Sequence, residues 1–326
     1  MNLECPNSVL DSIEPGRFWR GSILFRKRDG TLLIKCHERR QNAPVFIKYY
    51  NFCGGAIEAQ REYDALRSYS AVSGNGKVGV PQPIGIFRDS ASGAMVASEW
   101  VNCPMALTWL NIGSVVPSVR TRVLRDTARW LRWFHDAAPS HDRSLEDSLD
   151  LEQLCADLEL IAERGSQLLP RHKFRPCRKA ILDKAAVKIP NVTHARLHGD
   201  LWLKNVLLSP SRTIGLDFAT GSIGPIFTDI GKFLSHAAIL EIYGSLGSVS
   251  RRFFDGASTF IDAYSNGERD GADTALLLFN SRALVDRANE QMGRATSQST
   301  IKRMRRLREA ECVLHILGDL MRQLAR

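Results

Sequence analysis

The chain has 326 residues, of which 44% are hydrophobic and 24% charged. That length and balance leave room for two domains with a substantial apolar core, and exclude a disordered, collagen-like or fibrous protein. The 44 Lys and Arg outnumber the 35 Asp and Glu, a formal charge of +9, so the surface favours anionic neighbours, although solubility alone accounts for such an excess.

The first hundred residues read as strands with one helix. Ser22–Arg28 and Thr31–His37 are short β-type runs, joined by Asp29-Gly30 as a two-residue hairpin turn. Asn42-Ala43-Pro44 opens a third run, Val45–Tyr50, rich in β-branched and aromatic residues. After Gly54-Gly55, Ala56–Tyr69 has helical periodicity: Ala59, Tyr63 and Leu66 share one face, and Glu58 and Glu62 lie one turn apart on another. A polar loop, Ala71–Lys77, precedes two further strands, VPQPIGIF and Ala94–Val101. From Ser118, a plausible N-cap, the chain turns helical. Val119, Val123, Leu131 and Phe134 mark one helix to His135, and Leu151, Leu154, Leu158 and Ile161 another that ends near Gly165. Ala180–Val187 is a weaker helical stretch, short strands return between Arg196 and Phe218, and helices run from there to Arg326.

The cysteines (Cys5, Cys36, Cys53, Cys103, Cys155, Cys177 and Cys312) are odd in number and scattered, with no C-x-x-C and no zinc spacing. A reducing, cytoplasmic setting is therefore expected rather than a disulfide framework. The amino terminus, broken by Pro6 and Pro15, lacks a signal-peptide core, and no apolar run approaches the length that crosses a bilayer.

The chemistry concentrates between Leu197 and Phe218, where LHGDLWLKNVLL is followed by IGLDF. Val206–Leu208 and Ile214–Leu216 are apolar runs separated by the loop Ser209–Thr213, which makes a β-hairpin. Counting outward from Ser211 sets Asn205 opposite Asp217 at its open end. An amide oxygen and a carboxylate there suit a hard cation such as Mg²⁺. Asp200, five residues before Asn205, is close enough to share such a site. Two carboxylates and an amide in this pattern suit metal-assisted phosphoryl transfer.

The spacing His198-x-Asp200-x-x-x-x-Asn205, followed by Asp217-Phe218, resembles the kinase catalytic loop and metal-binding motif. With Gly199 where protein kinases carry Arg, the chain resembles the aminoglycoside phosphotransferase, choline kinase and fructosamine kinase superfamily. VFIK ending at Lys48, Arg61-Glu62 in the following helix, Val80–Pro83, Ser98–Val101 and Thr228–Gly231 extend that resemblance over about Val45 to Leu234. It implies an α+β, two-lobed protein-kinase-like fold, with a small antiparallel β-rich nucleotide-binding lobe, residues 1–101, and a larger, mainly helical lobe, residues 102–326. A helical insert at about 136–195, where protein kinases have a short link, resembles the acceptor-binding insert of small-molecule kinases. It points away from a protein acceptor.

The resemblance further implies an ATP-dependent kinase acting on a hydroxyl of a sugar, amino sugar or amino alcohol. Asp200 would be the catalytic base, and Asn205 and Asp217 the Mg²⁺ ligands. Lys48, paired with Glu62, would grip the ATP phosphates, with Glu58 the rival partner. Glu99 and Val101 would meet adenine through backbone groups, and His198 and Asp229 would hold the loop. Trp202 would pack it or meet the substrate. Gly74–Lys77 fails the phosphate-loop pattern at Ala71 and Val78, and no G-x-G-x-x-G lies between Ser22 and His37. Backbone amides near Lys27–Gly30 are the alternative phosphate contact.

Lys302, Arg303, Arg305, Arg306 and Arg308 crowd a helix that begins near Thr300, with Leu307, Val313, Leu314 and Leu317 for its buried side. A solvated basic helix is the plain reading. The sharper one is an anionic or membrane-surface acceptor such as a glycan. A polycationic aminoglycoside would prefer an acidic cleft. Nucleic-acid binding is not expected, since no aromatic-basic module accompanies the charge, and no obligate protein partner is evident. A pseudokinase-like module that binds nucleotide without turnover is the remaining alternative.

Overall fold

The computed structural model describes residues 3–4, 17–27, 29–39, 41–72, 76–88, 93–113, 116–168, 178–186, 191–217, 221–240, 246–266, 272–296 and 299–324. Pro6, Pro15, Cys5, Gly74-Asn75, Cys177, Val187 and Phe218 lie outside these residues. The strands are β1 (Leu3–Glu4), β2 (Phe18–Arg26), β3 (Leu32–Glu38), β4 (Ala43–Tyr50), β5 (Val78–Gly79), β6 (Pro83–Arg88) and β7 (Ala94–Glu99), then β8 (His141–Arg143), β9 (Val192–Arg196), β10 (Val206–Leu208), β11 (Thr213–Gly215) and β12 (Ile223–Pro225). The helices are α1 (Gly55–Ala71), α2 (Ala106–Gly113), α3 (Pro117–Asp136), α4 (Leu145–Ser148) and α5 (Leu151–Leu168). They continue as α6 (Arg178–Ala186), α7 (Ile226–Leu240), α8 (Leu246–Tyr264), α9 (Ala272–Thr296) and α10 (Thr300–Leu324). Two compact units result: Met1–Pro104 with Leu207–Thr220, and Met105–Val206 with Gly221–Arg326.

The first unit is strand-rich. Its six-stranded sheet runs β1-β2-β3-β4-β7-β6, antiparallel throughout. Alternation along β3 buries Leu32, Ile34 and Cys36, which pack with Val45, Ile47, Met95 and Ala97 from β4 and β7. Because strand side chains alternate between faces, Lys48 and Tyr50 point away from that cluster, towards the face on which α1 packs. The β2–β3 connection differs from the two-residue turn expected. The Lys27 amide donates to the Thr31 carbonyl (2.8 Å), and the Asp29 carboxylate accepts the Thr31 amide at 2.9 Å. The Asp29 side chain satisfies a donor that a tighter turn would have bonded across the strands.

The second unit is mainly helical. Trp130 stacks on Phe134 within α3 at 5.4 Å between centroids, and Phe233 of α7 meets Phe260 of α8 at 5.1 Å. All four rings are fully buried. Helix α9 packs against both α7 and α10. Helix α3 starts two residues earlier than the sequence suggested, with Val116 rather than Ser118 as N-cap and Pro117 in the first turn, where its missing amide costs nothing. Helix α5 continues through Gly165 to Leu168. Gly165 is there for close packing rather than as a stop: a Cβ at this position would lie 2.9 Å from Leu314 Cδ1. No helix among the described residues is long and apolar enough to cross a membrane.

Truncating a buried ring in a packed interior removes its transfer energy and leaves a cavity. Phe233→Ala is therefore expected to lower stability by about 3–5 kcal/mol, read from urea unfolding. A loss under about 1 kcal/mol would mean the Phe233–Phe260 contact is not a tight core.

Candidate active site

In the strand-rich unit the site is built around a buried ammonium. Lys48 Nζ lies 2.7 Å from Glu62 Oε2 and 2.5 Å from Asp217 Oδ1. Glu62 sits on the buried face of α1, whereas Glu58, one turn earlier, pairs with Arg61 at 2.9 Å. The Tyr50 hydroxyl donates to Glu62 Oε2 as well. Burial works against charging Lys48, but the carboxylates of Glu62 and Asp217 outweigh it and hold the amine well above its ordinary value. Burial, with the Glu62 charge beside it, pushes the Tyr50 hydroxyl up, so it stays protonated and donates.

Asp217 follows β11 with a left-handed φ of 67°, a strained conformation for a residue with a side chain. Its Oδ2 also faces Lys27 Nζ at 3.5 Å. Lys27 ends the β2 side of the hairpin, and sequence reasoning did not single out its side chain. Glu99 closes β7: its amide donates to Gln82 (2.9 Å) and its carboxylate pairs with Arg212 at 3.0 Å. The Val101 carbonyl accepts from the Cys103 amide at 2.9 Å.

In the helical unit the loop after β9 is tied down by one buried carboxylate. Asp229, in the first turn of α7, accepts the His198 amide at 2.6 Å and the Gly199 amide at 3.0 Å. His135 Nε2 lies 3.2 Å from the same carboxylate, and its Nδ1 meets the Tyr264 hydroxyl at 2.7 Å. Gly199 has φ +80°, so the loop turns through a conformation that a side chain there would strain. Its carbonyl accepts from Lys232 Nζ at 2.8 Å. The buried His198 ring lies against Trp130 and Phe134.

This frame presents Asp200 outward. Asn205 Nδ2 donates to the Asp200 carbonyl (2.9 Å) and approaches its Oδ2 at 3.4 Å. Asp200, Trp202 and Lys204 line a cavity of about 800 Å³, together with side chains of α7, α9 and α10. Trp202 lies beside His236 and under Lys204 Nζ, so it forms part of the wall. Sequence reasoning saw Asp229 as a loop-holding residue but had no signal for His135, Tyr264 or Lys232 as its partners. Only packing brings those helices together.

Within each unit the donors suit a hard cation. Asp217 offers carboxylate oxygens, and Asn205, its Nδ2 turned to Asp200, offers an amide oxygen. Among the described residues no cluster of three or more His, Cys, Asp or Glu forms a metal site by itself. Oxygens of either kind suit Mg²⁺, which takes few protein oxygens and completes its shell with phosphate and water.

The phosphotransferase enzyme family matches residues 53–256, so the chain belongs to that family. No curated protein matches it significantly in sequence. Among solved structures, an aminoglycoside phosphotransferase in complex with AMP-PNP and hygromycin B superposes with a TM-score of 0.54, at 10% identity over 95% of this chain and 97% of the other. Amicoumacin kinase in complex with AMP-PNP, Ca²⁺ and its ligand gives 0.51, at 13% identity over 98% and 93%. A glucosamine kinase gives 0.51, at 12% identity over 90% and 77%. At these identities the likeness is one of fold: an α+β kinase-like architecture shared with small-molecule kinases and phosphotransferases.

Burial alone raises the Asp229 carboxyl. The hydrogen bond and charge of His135, the charge of His198 and the His198 amide outweigh it and hold the group below its ordinary 3.8. A depressed folded-state value means the stabilisation is complete above about pH 4 and is lost as pH falls through the folded value. The stability gap between wild type and Asp229→Asn should be flat near neutrality and narrow on acidification, as urea unfolding at stepped pH would show. A gap that stays constant or widens down to pH 3 contradicts the assignment.

Proposed function

We propose that the chain transfers the γ-phosphoryl group of Mg-ATP to a hydroxyl on a small molecule. The observation that carries this reading is Asp200, an exposed carboxylate held by Asn205 at the wall of a cavity large enough for such an acceptor. Asp200 would orient the hydroxyl and take its proton as the new O–P bond forms. The bond from the γ-phosphorus to the bridging oxygen breaks, and its electron pair leaves with ADP. Lys48, held by Glu62, would grip the α- and β-phosphates, and Glu99 and Val101 would meet adenine through backbone groups. Asn205 and Asp217 would each supply an oxygen to Mg²⁺, which neutralises phosphate charge when bound. Most of the acceleration would come from positioning and charge neutralisation, since phosphoryl transfer asks little covalent chemistry of the protein.

Support comes from the family match, from the Lys48–Glu62 and Lys48–Asp217 pairs, and from the preformed loop around Asp200. The test is mass-spectrometric detection of phosphoryl transfer from Mg-ATP to a pooled library of sugars, sugar derivatives, amino alcohols, nucleosides and aminoglycosides. Asp200→Asn is expected to reduce turnover by about 10²–10⁴ while leaving Mg-ATP affinity intact. Turnover near wild type in that variant would remove Asp200 from the base role. Mg-ATP binding without transfer to any acceptor would favour a nucleotide-binding module instead.

Lys48→Ala leaves Glu62 buried without its ammonium, so both nucleotide affinity and stability should fall. An expected stability loss of about 3–5 kcal/mol follows from breaking a buried pair, measurable by thermal or urea unfolding. Unchanged stability would mean the pair is not buried in solution.

A further inference from the structure

The cavity at Asp200 is walled on its far sides by α9 and α10, and their charges are unequally matched. Arg287 and Arg294 of α9 both pair with Glu290, the latter at 2.6 Å. Arg305 and Arg306 of α10 both pair with Glu309, at 3.0 and 2.7 Å. Arg306 also donates to Gln291 Oε1 at 2.9 Å, which ties α10 to α9. Four guanidiniums are thus paired with two carboxylates, so positive charge exceeds negative along this part of the wall.

Arg308, paired with Glu311 at 2.7 Å, and Lys204 add cationic groups to the same wall, and Asp200 is a further carboxylate on it. His236, also on the wall, adds no acceptor charge. Burial, followed by the nearby Arg287 charge, lowers it to about 4, so it is neutral near pH 7.

The arginines are also graded in depth. The Arg287 and Arg306 side chains are 14% and 24% exposed, whereas Arg294 and Arg305 at the rim are 51% and 64% exposed. Charges in the deeper pair are less screened by water and salt. Arg287 Nε is buried with no hydrogen-bond acceptor among the described residues, an uncompensated donor beside the cavity. The Glu309 carboxylate is buried and grips two of the guanidiniums, so the donors are fixed in place before any ligand arrives.

We propose that the acceptor carries an anionic group, a phosphate monoester or a carboxylate, which Arg287 and Arg306 hold while its hydroxyl lies at Asp200. The proposal rests on the phosphotransferase reading of Asp200 and names the class of molecule that reading leaves open. Planar guanidinium forks match both oxyanions in bidentate fashion. A polycationic acceptor would meet a wall of its own sign. A neutral sugar would leave the excess positive charge unmatched. Arg294 and Arg305, at the rim, would draw the anion in.

The test measures binding and turnover separately. Calorimetry with the Asp200→Asn protein and Mg-AMP-PNP would use four probes: hexose phosphates, hexuronates, uncharged hexoses and an aminoglycoside. A sugar phosphate on a short lipid chain, run beside its free counterpart, distinguishes a soluble acceptor from a lipid-linked one. Anionic probes are expected to bind and to weaken as NaCl is raised. Arg306→Gln and, independently, Arg287→Gln should each raise their Kd by about 10- to 100-fold, with far-UV circular dichroism confirming that the variants are folded. With Asp200 intact, the KM for the anionic acceptor should shift with either arginine substitution while kcat changes little.

Transfer to a neutral or cationic acceptor, with a KM that neither substitution moves, overturns the proposal and leaves the phosphotransferase reading intact. Failure of every anionic probe to bind, at low salt as well, also overturns it. Arginine-dependent binding of anions without any phosphoryl transfer by wild type would uphold the anion site and bring down the phosphotransferase reading instead.

Discussion

A charged amine inside a protein is tolerable only when opposite charge meets it, and Lys48 imposes that condition on the strand-rich unit. Its stem leaves β4 on the face opposite the apolar cluster, and its ammonium is met by Glu62 from α1 and Asp217 after β11. Three segments distant in sequence are therefore held to one geometry. The Tyr50 hydroxyl, also on Glu62, uses a second lone pair of that carboxylate and keeps it from turning away. The strained backbone of Asp217 fits the same picture: an unfavourable φ persists because the ion pairs at its carboxylate hold it.

The helical unit repeats the arrangement with the sign reversed. There the buried charge is the Asp229 carboxylate, and backbone amides and His135 answer it. The result is a loop whose turn at Gly199 is fixed and whose next residue, Asp200, faces a cavity. The two units thus hold different groups in place. One sets an ammonium between two carboxylates. The other sets the exposed Asp200 carboxylate beside a wall of guanidiniums.

Much of this was legible in the residues. The alternation in β3, the β-branched run of β4 and the helical spacing of α1 and α3 are local patterns, and they fold as patterned because burial rewards one face. HGDLWLKN and VFIK are compact motifs whose residue types already imply phosphoryl transfer. The misreadings were local as well. The loop at Asp29 hinged on a side-chain hydrogen bond that competes with the turn, and Gly165 looked like a stop when its role was to admit Leu314. A glycine at a helix end and a glycine at a helix crossing are the same letter.

What the sequence determined by itself was the kinase-like class of the fold, the family motifs and the chemical types at the site, because these depend on residues near one another along the chain. Tertiary structure alone decided that Glu62 rather than Glu58 meets Lys48, that Lys27 joins Asp217, and that His135 and Tyr264 support Asp229. It also decided that basic residues of α10, which read in sequence as a solvated face, share a cavity wall with Arg287, Arg294 and Asp200. The physical reason is that an ion pair between elements depends on where packing sets their axes and faces. That is a sum over many weak contacts, which no short segment encodes.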